Sequence, residues 1–178
     1  MEKNPAAGLE ETHLQLFGMI VQRFAAHELL VQRIMAHALG THAAPVMLLT
    51  RNLPFEGKCK ALLDLMRHGK VPLDKLDRVN AYLKVPLARV RLRNDIVHSV
   101  WIVADEPNTI QPNWILEPLP RVRPIHAGAS ASQADFSEND EEKFAYSLAD
   151  LREIAAALEN NRAAFAAYLD EAGLIDAF

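Results

Sequence analysis

A chain of 178 residues that is 50% hydrophobic and 24% charged, with a mean hydropathy of -0.04, suits one domain with an ordinary core and argues against a disordered chain. Its net charge of -4 excludes the basic surplus of a protein that coats long duplex DNA, although a local basic patch on a short RNA is compatible with that total. A single cysteine, Cys59, excludes an internal disulfide and a cysteine-built zinc site within one chain.

The first long helix is expected over 9–39, where Leu14, Phe17, Val21, Phe24, Val31, Ile34 and Ala38 recur at three- and four-residue steps and Gly40 follows as a stop. Glu28 falls where that stripe expects an apolar side chain. A short helix is read over 44–52, with Pro45 in its first turn, and Asn52-Leu53-Pro54 breaks it. A further helix spans 56–68 and is closed by Gly69; Pro72 and Asp74 open the next, which runs to about Lys84. Cys59 reads as a half-buried helix residue; its neighbours Lys58 and Lys60 could lower its pKa, but no partner motif supports a catalytic thiol. Pro86 interrupts the pattern with a kink or restart, because an internal proline loses a hydrogen bond and costs about 3 kcal/mol. The stretch 86–98 resumes as helix.

Beyond His98 the pattern turns β-prone, with Val100-Trp101-Ile102-Val103, turn residues Asp105 to Asn108, then Trp114-Ile115-Leu116. A small hairpin over about 99–117 fits, with Pro112 confining part of it to an edge. Residues 118–139, rich in Pro, Ser and Ala, read as a mobile loop. A last helix is expected from Asp140 to about Ala172, with Phe144, Leu148, Leu151, Ala155, Leu158, Phe165 and Leu169 as its stripe and Gly173 as its stop. The expected fold is therefore all-α, a helical bundle with a small inserted β-hairpin, as one domain over 1–178. No apolar run approaches the roughly 18 residues of a membrane span, and Met1 to Pro5 lack the basic and apolar regions of a signal peptide, so a cytoplasmic protein away from membranes is expected.

The chemistry concentrates in Arg93-Asn94-Asp95-Ile96-Val97-His98. On a helix, Asn94 and His98 are one turn apart on one face, Arg91 and Asp95 border it, and Arg93 can reach back with its long side chain. Histidine exchanges protons near neutral pH, arginine offers a fixed fork of donors to phosphate oxygens, and asparagine can donate to a non-bridging oxygen. These types suit attack of a ribose 2′-hydroxyl on the adjacent phosphate, chemistry that needs RNA and no metal.

The hexad and its setting, Leu92 to Trp101, resemble the Arg-x4-His motif of HEPN domains, with the polar residue that typically follows the arginine. The layout is similar too: a long first helix, the motif ending a later helix, and a long C-terminal helix. The resemblance implies a HEPN-like helical domain that forms a homodimer in which two motifs face one cleft. It implies metal-independent endoribonuclease activity without a cofactor, of the kind found in toxin–antitoxin, abortive-infection and phage-defence systems, with a cognate antitoxin protein as a further partner. Carried over, Arg93 and His98 are the catalytic pair and Asn94 the supporting residue. Some HEPN domains are non-catalytic modules that bind RNA or protein, and that alternative stays open.

Around the motif, Arg89, Arg91 and Arg93 alternate, and Arg121 and Arg123 repeat the theme, giving local basic density for an RNA backbone or a solvated face of ordinary ion pairs. Glu28 either pairs with Arg93 or Arg89 and orients it, or turns to solvent. The remaining histidines, His13, His27, His37, His42, His68 and His126, are scattered without HExxH spacing, so no metal site is expected. Trp101 and Trp114 either stack a base or, more simply, hold the hairpin on the bundle, and Tyr82, Tyr146 and Tyr168 read as core or interface. No glycine-rich phosphate loop or Ser-His-Asp arrangement is visible, which argues against a kinase, an NTPase or a dehydrogenase.

Overall fold

A computed structural model describes residues 9–104, 108–113 and 145–175. The helices among them are α1 (Glu11–Ala38), α2 (Ala43–Thr50), α3 (Phe55–His68), α4 (Leu73–Leu87), α5 (Val90–His98) and α6 (Leu148–Glu171). A small antiparallel sheet, β1 (Val100–Val103), β2 (Thr109–Asn113) and β3 (Tyr146–Ser147), sits beside them. The fold is thus all-α, a helical bundle with a small sheet. The expected loop at 118–139, with Arg121, Arg123 and His126, lies outside the described residues, as do Asp105 to Pro107, Trp114 to Leu116 and Phe144.

Side-chain pairs give the helix directions. Phe24 meets Phe55 and Glu28 meets Lys58, so α3 runs the same way as α1. Arg23 meets Glu159 and His27 meets Asn161, so α6 does too. Lys75 reaches the carbonyl of Ala172 while Tyr82 stacks on Phe165, so α4 runs opposite to α6. One core holds Phe24, Ile34, Leu62, Leu83, Phe165 and Leu169; a second, toward the sheet, holds Phe17, Ile20, Leu92, Trp101, Leu151 and Leu158. Each such apolar side chain contributes about 1.5–3 kcal/mol. The α1 stripe is broader than its three- and four-residue reading: Leu14 and Ala38 are exposed, while Leu16, Ile20, His27 and Leu30 are buried, because α1 is contacted by α2, α3, α5 and α6.

Several boundaries differ from expectation for local reasons. The break expected at Pro86 falls later: α4 continues through it to Leu87, and α5 restarts at Val90 after Ala88 and Arg89. Gly69 follows α3, but the left-handed residue there is Lys70 (φ 56), whose neighbour Val71 returns a hydrogen bond to Met66. The last helix begins at Leu148, not Asp140, because Ser147 and Asp150 cap it reciprocally: the Ser147 hydroxyl accepts from the Asp150 amide, and the Asp150 carboxylate accepts from the Ser147 amide. The hairpin closes earlier than expected, with Val100 opposite Asn113 and Val103 opposite Ile110. A third strand adds to β2, making β2 central, yet β3 reaches only Thr109 and Ile110. Pro112, opposite Trp101, lies beyond that pairing, so its missing N–H leaves no ladder bond unmade on the β3 side.

Candidate functional site

The hexad lies on α5 and ends it. This helix has nine residues, too short to be stable alone. Its buried residues are Leu92, in the sheet-side core, and Asp95. Just downstream, Trp101 is buried, its ring 4.7 Å from Phe17, and its indole Nε1–H donates to the Asp95 carbonyl at 3.3 Å. The tryptophan therefore ties the last turn of α5 to α1 and to the hairpin, which is the packing role and not the base-stacking one.

The six residues divide among three surroundings, with Ile96 packed beside Asp95 against the sheet-side core. Asn94, Val97 and His98 are exposed, and the spacing of Asn94 and His98 sets them one turn apart on one face. Arg93 is half-buried beside them. Its Nη1 donates to Asn94 Oδ1 at 2.9 Å, and its Cζ sits 5.6 Å from the centre of the Phe24 ring on α1. An arginine can only donate, so the Asn94 atom that meets it is the carbonyl oxygen, and the Asn94 NH₂ is left as a donor. Arg93 Nε is buried and meets no acceptor among the described residues.

Asp95 faces the sheet. Burial pushes its carboxyl pKa up, and the Arg91 guanidinium, 3.9 Å away, pulls it down without cancelling the rise. Burial also raises Tyr146, as do the charges of Asp95 and Asp150, against Arg89 and Arg91. Arg89 and Arg91 thus share their field with Asp95 and Tyr146. The structure brings Arg93, Asn94 and His98 to one short helix end and pairs Arg91 with Asp95 beside the sheet, where Arg89 acts on Tyr146 by its charge.

One expectation is corrected, and for Cys59 the plain reading of a helix residue buried in the core holds. Glu28 pairs with neither Arg93 nor Arg89: its Oε1 takes the ammonium of Lys58 on α3, a side chain only 5% exposed. The reason is rotational, since Glu28 lies on the side of α1 that faces α3. The thiol of Cys59 is not lowered by its flanking lysines; burial, then Glu56 and Glu28, pushes it up to about 12. Lys58 is neutralised by Glu28, and Lys60 is exposed. Such a thiol stays protonated at neutral pH and is no nucleophile.

Phe24 was legible only as a core residue, because nothing in an apolar stripe says which ring meets a cation. A second feature the pattern did not flag is α2, which carries no charged residue yet buries only Val46 and Thr50, leaving Met47, Leu48 and Leu49 exposed. His27 is fully buried and joins α1 to α6, with Nδ1–H donated to the Arg23 carbonyl and Nε2 against Asn161, both at 2.9 Å. A cleft of about 520 Å³ between α4 and α6 is lined by Asp77, Arg78, Ala81, Tyr82 and Asn161, and contains none of the motif residues. Among the described residues no three or more His, Cys, Asp or Glu side chains gather as metal ligands, and no helix is long and apolar enough to cross a membrane.

The geometry defines an all-α domain that presents an amide and an imidazole at one helix end, beside a half-buried guanidinium. Comparison of the chain with family models, with curated proteins and with solved structures returned no match.

Proposed function

We propose that this chain is a metal-independent endoribonuclease of HEPN type, acting as a dimer in the cytoplasm as a toxin or defence effector. The observation that carries the reading is the Arg93–Asn94 pair, bonded at 2.9 Å, on the helix end where Asn94 and His98 are exposed. His98 accepts the proton of a ribose 2′-hydroxyl as it attacks the adjacent phosphorus. Arg93 and the outward NH₂ of Asn94 donate to the phosphate oxygens, where negative charge builds in the transition state. The 5′-oxygen leaves with a proton, and the products are a 2′,3′-cyclic phosphate and a 5′-hydroxyl. One imidazole cannot hold both roles at the same instant, so the His98 of a second copy serves as the acid. This need is what supports a dimer with two motifs at one cleft.

The test is incubation of the chain, Arg93→Ala and His98→Ala with total RNA in chelator. Cyclic-phosphate ends from the wild type alone are expected, and identical patterns from all three would sink the enzymatic reading. Expression alone should slow growth, His98→Ala should relieve it, and a cognate antitoxin would neutralise the wild type. A second reading, a non-catalytic module that binds RNA or a protein through the same surface, draws on the exposed Val97, Val100 and Val103 around His98. It expects binding without cleavage and no growth defect.

A further inference from the structure

We infer that Phe24 is the positioning residue of Arg93, fixing through its ring face the direction in which the guanidinium and, through it, the Asn94 amide are presented. The inference rests on the ribonuclease reading for its consequence in catalysis, but its geometry stands apart from it. An arginine side chain has four flexible torsions and must lose that freedom to act as a fixed fork. On α5 nothing along its own helix holds Arg93, since its single hydrogen bond to a side chain among the described residues goes to Asn94, the next residue, which is itself exposed. The holding surface comes from α1. The Phe24 ring centre lies 5.6 Å from Arg93 Cζ, within the range at which a cation is drawn to an aromatic face. That ring is itself immobile: Phe24 is 2% exposed and meets Phe55 at 4.8 Å in an edge arrangement.

The consequence reaches the reacting surface. Arg93 Nη1 can only donate, so where the ring holds the guanidinium, Asn94 Oδ1 meets it and the Asn94 NH₂ is left as a donor. Arg93 Nε stays buried and without an acceptor among the described residues, which is the condition of a donor edge held in place by contact with the ring and not by a partner of its own.

The experiment compares Phe24→Leu with Phe55→Leu in the full chain. Both remove one ring of the same edge contact and both weaken the core, but only the first removes the face under Arg93. In proton–nitrogen spectra, the Nε–H of Arg93, assigned by its loss in Arg93→Lys, should carry a ring-current shift that disappears in Phe24→Leu and persists in Phe55→Leu. With thermal midpoints matched, cleavage per folded molecule should fall between roughly tenfold and a hundredfold in kcat for Phe24→Leu, the scale of a misplaced group, with KM little changed. Phe55→Leu should leave kcat near wild type. Equal kcat losses in the two variants, or an Nε–H resonance unmoved by Phe24→Leu, overturn the inference. If Arg93→Ala itself cleaves like wild type, the ribonuclease reading fails instead, and the spectral comparison still decides whether Phe24 holds Arg93.

Discussion

Replacing Glu28 by glutamine removes one charge from the α1–α3 seam and keeps the size and hydrogen-bonding capacity of the side chain. The ammonium of Lys58 then stays 5% exposed without its anion, while Glu28 in the wild type is 27% exposed and partly wetted. Breaking a fully buried pair costs about 3–5 kcal/mol and a surface pair about 0–1 kcal/mol. With one partner buried and the other at the rim, a loss of about 2–4 kcal/mol is expected. For a chain of this length each kcal/mol moves the thermal midpoint by about 2–4 °C, so a fall of roughly 5–15 °C follows. The converse change is not symmetrical. Lys58→Met leaves Glu28 free to turn into water and puts an apolar side chain into an apolar seam, so it should cost less than Glu28→Gln. Urea unfolding of both single variants and the double variant gives the coupling. Cleavage per folded molecule should be unchanged in Glu28→Gln, because the carboxylate touches Lys58 and not the motif. A Glu28→Gln midpoint within about 1 °C of wild type, or a Lys58→Met loss as large as that of Glu28→Gln, would refute the assignment of a buried cation held by a rim anion.

Three further outcomes follow from the same structure. Asp95 holds its proton to higher pH in the folded chain than its ordinary value of 3.8 allows, so the folded state binds more protons just above that pH and stability falls as pH rises through the interval above it. Asp95→Asn should lack this decline, and parallel urea midpoints for the two proteins from pH 4 upward would contradict it. Lys70→Gly relieves left-handed strain of about 1–2 kcal/mol at φ 56 and gives back about 0.5–1 kcal/mol in unfolded-chain entropy, so a gain of roughly 0.5–1 kcal/mol by calorimetry is expected and a loss would count against it. Cys59, pushed up to about 12 by burial, should react with a maleimide only as the chain unfolds; labelling of the native protein at the rate of an open thiol would disprove this.

Much of the fold was legible because it is written locally. Gly40 and Gly173 stop their helices with φ of 61 and 62, as their place after long apolar stripes suggests. The Ser147-x-x-Asp150 signature was equally present at the start of α6, yet the apolar Phe144 upstream extended the stripe past it. What the sequence could not supply is rotation. The apolar period of α1 does not say that Glu28 faces α3 while Phe24 faces α5, because both lie on the wide buried arc of a helix with several neighbours. Partner choice for a charge is a tertiary fact, and Lys58 won Glu28 from Arg93 by that geometry alone.

Rotation about the helix axis is also why a hexad that reads as one cluster is used in three directions. Over a helix of nine residues, consecutive positions turn by about 100°, so six residues cannot share one face. Leu92 and Asp95 point inward and carry the anchoring, with Trp101 closing the turn onto the Asp95 carbonyl. Arg93 points across to the Phe24 ring and Asn94 and His98 point out. Leu92, Ile96 and Val90 anchor the inward side of the helix, but inward burial does not orient the Arg93 side chain to the tolerance that phosphate chemistry needs. The fixing contacts must therefore come from outside the helix. In this chain they come from α1, through Phe24 against Arg93 and through Phe17 against Trp101, so the long first helix is part of the candidate site although it contributes no group to the proposed chemistry.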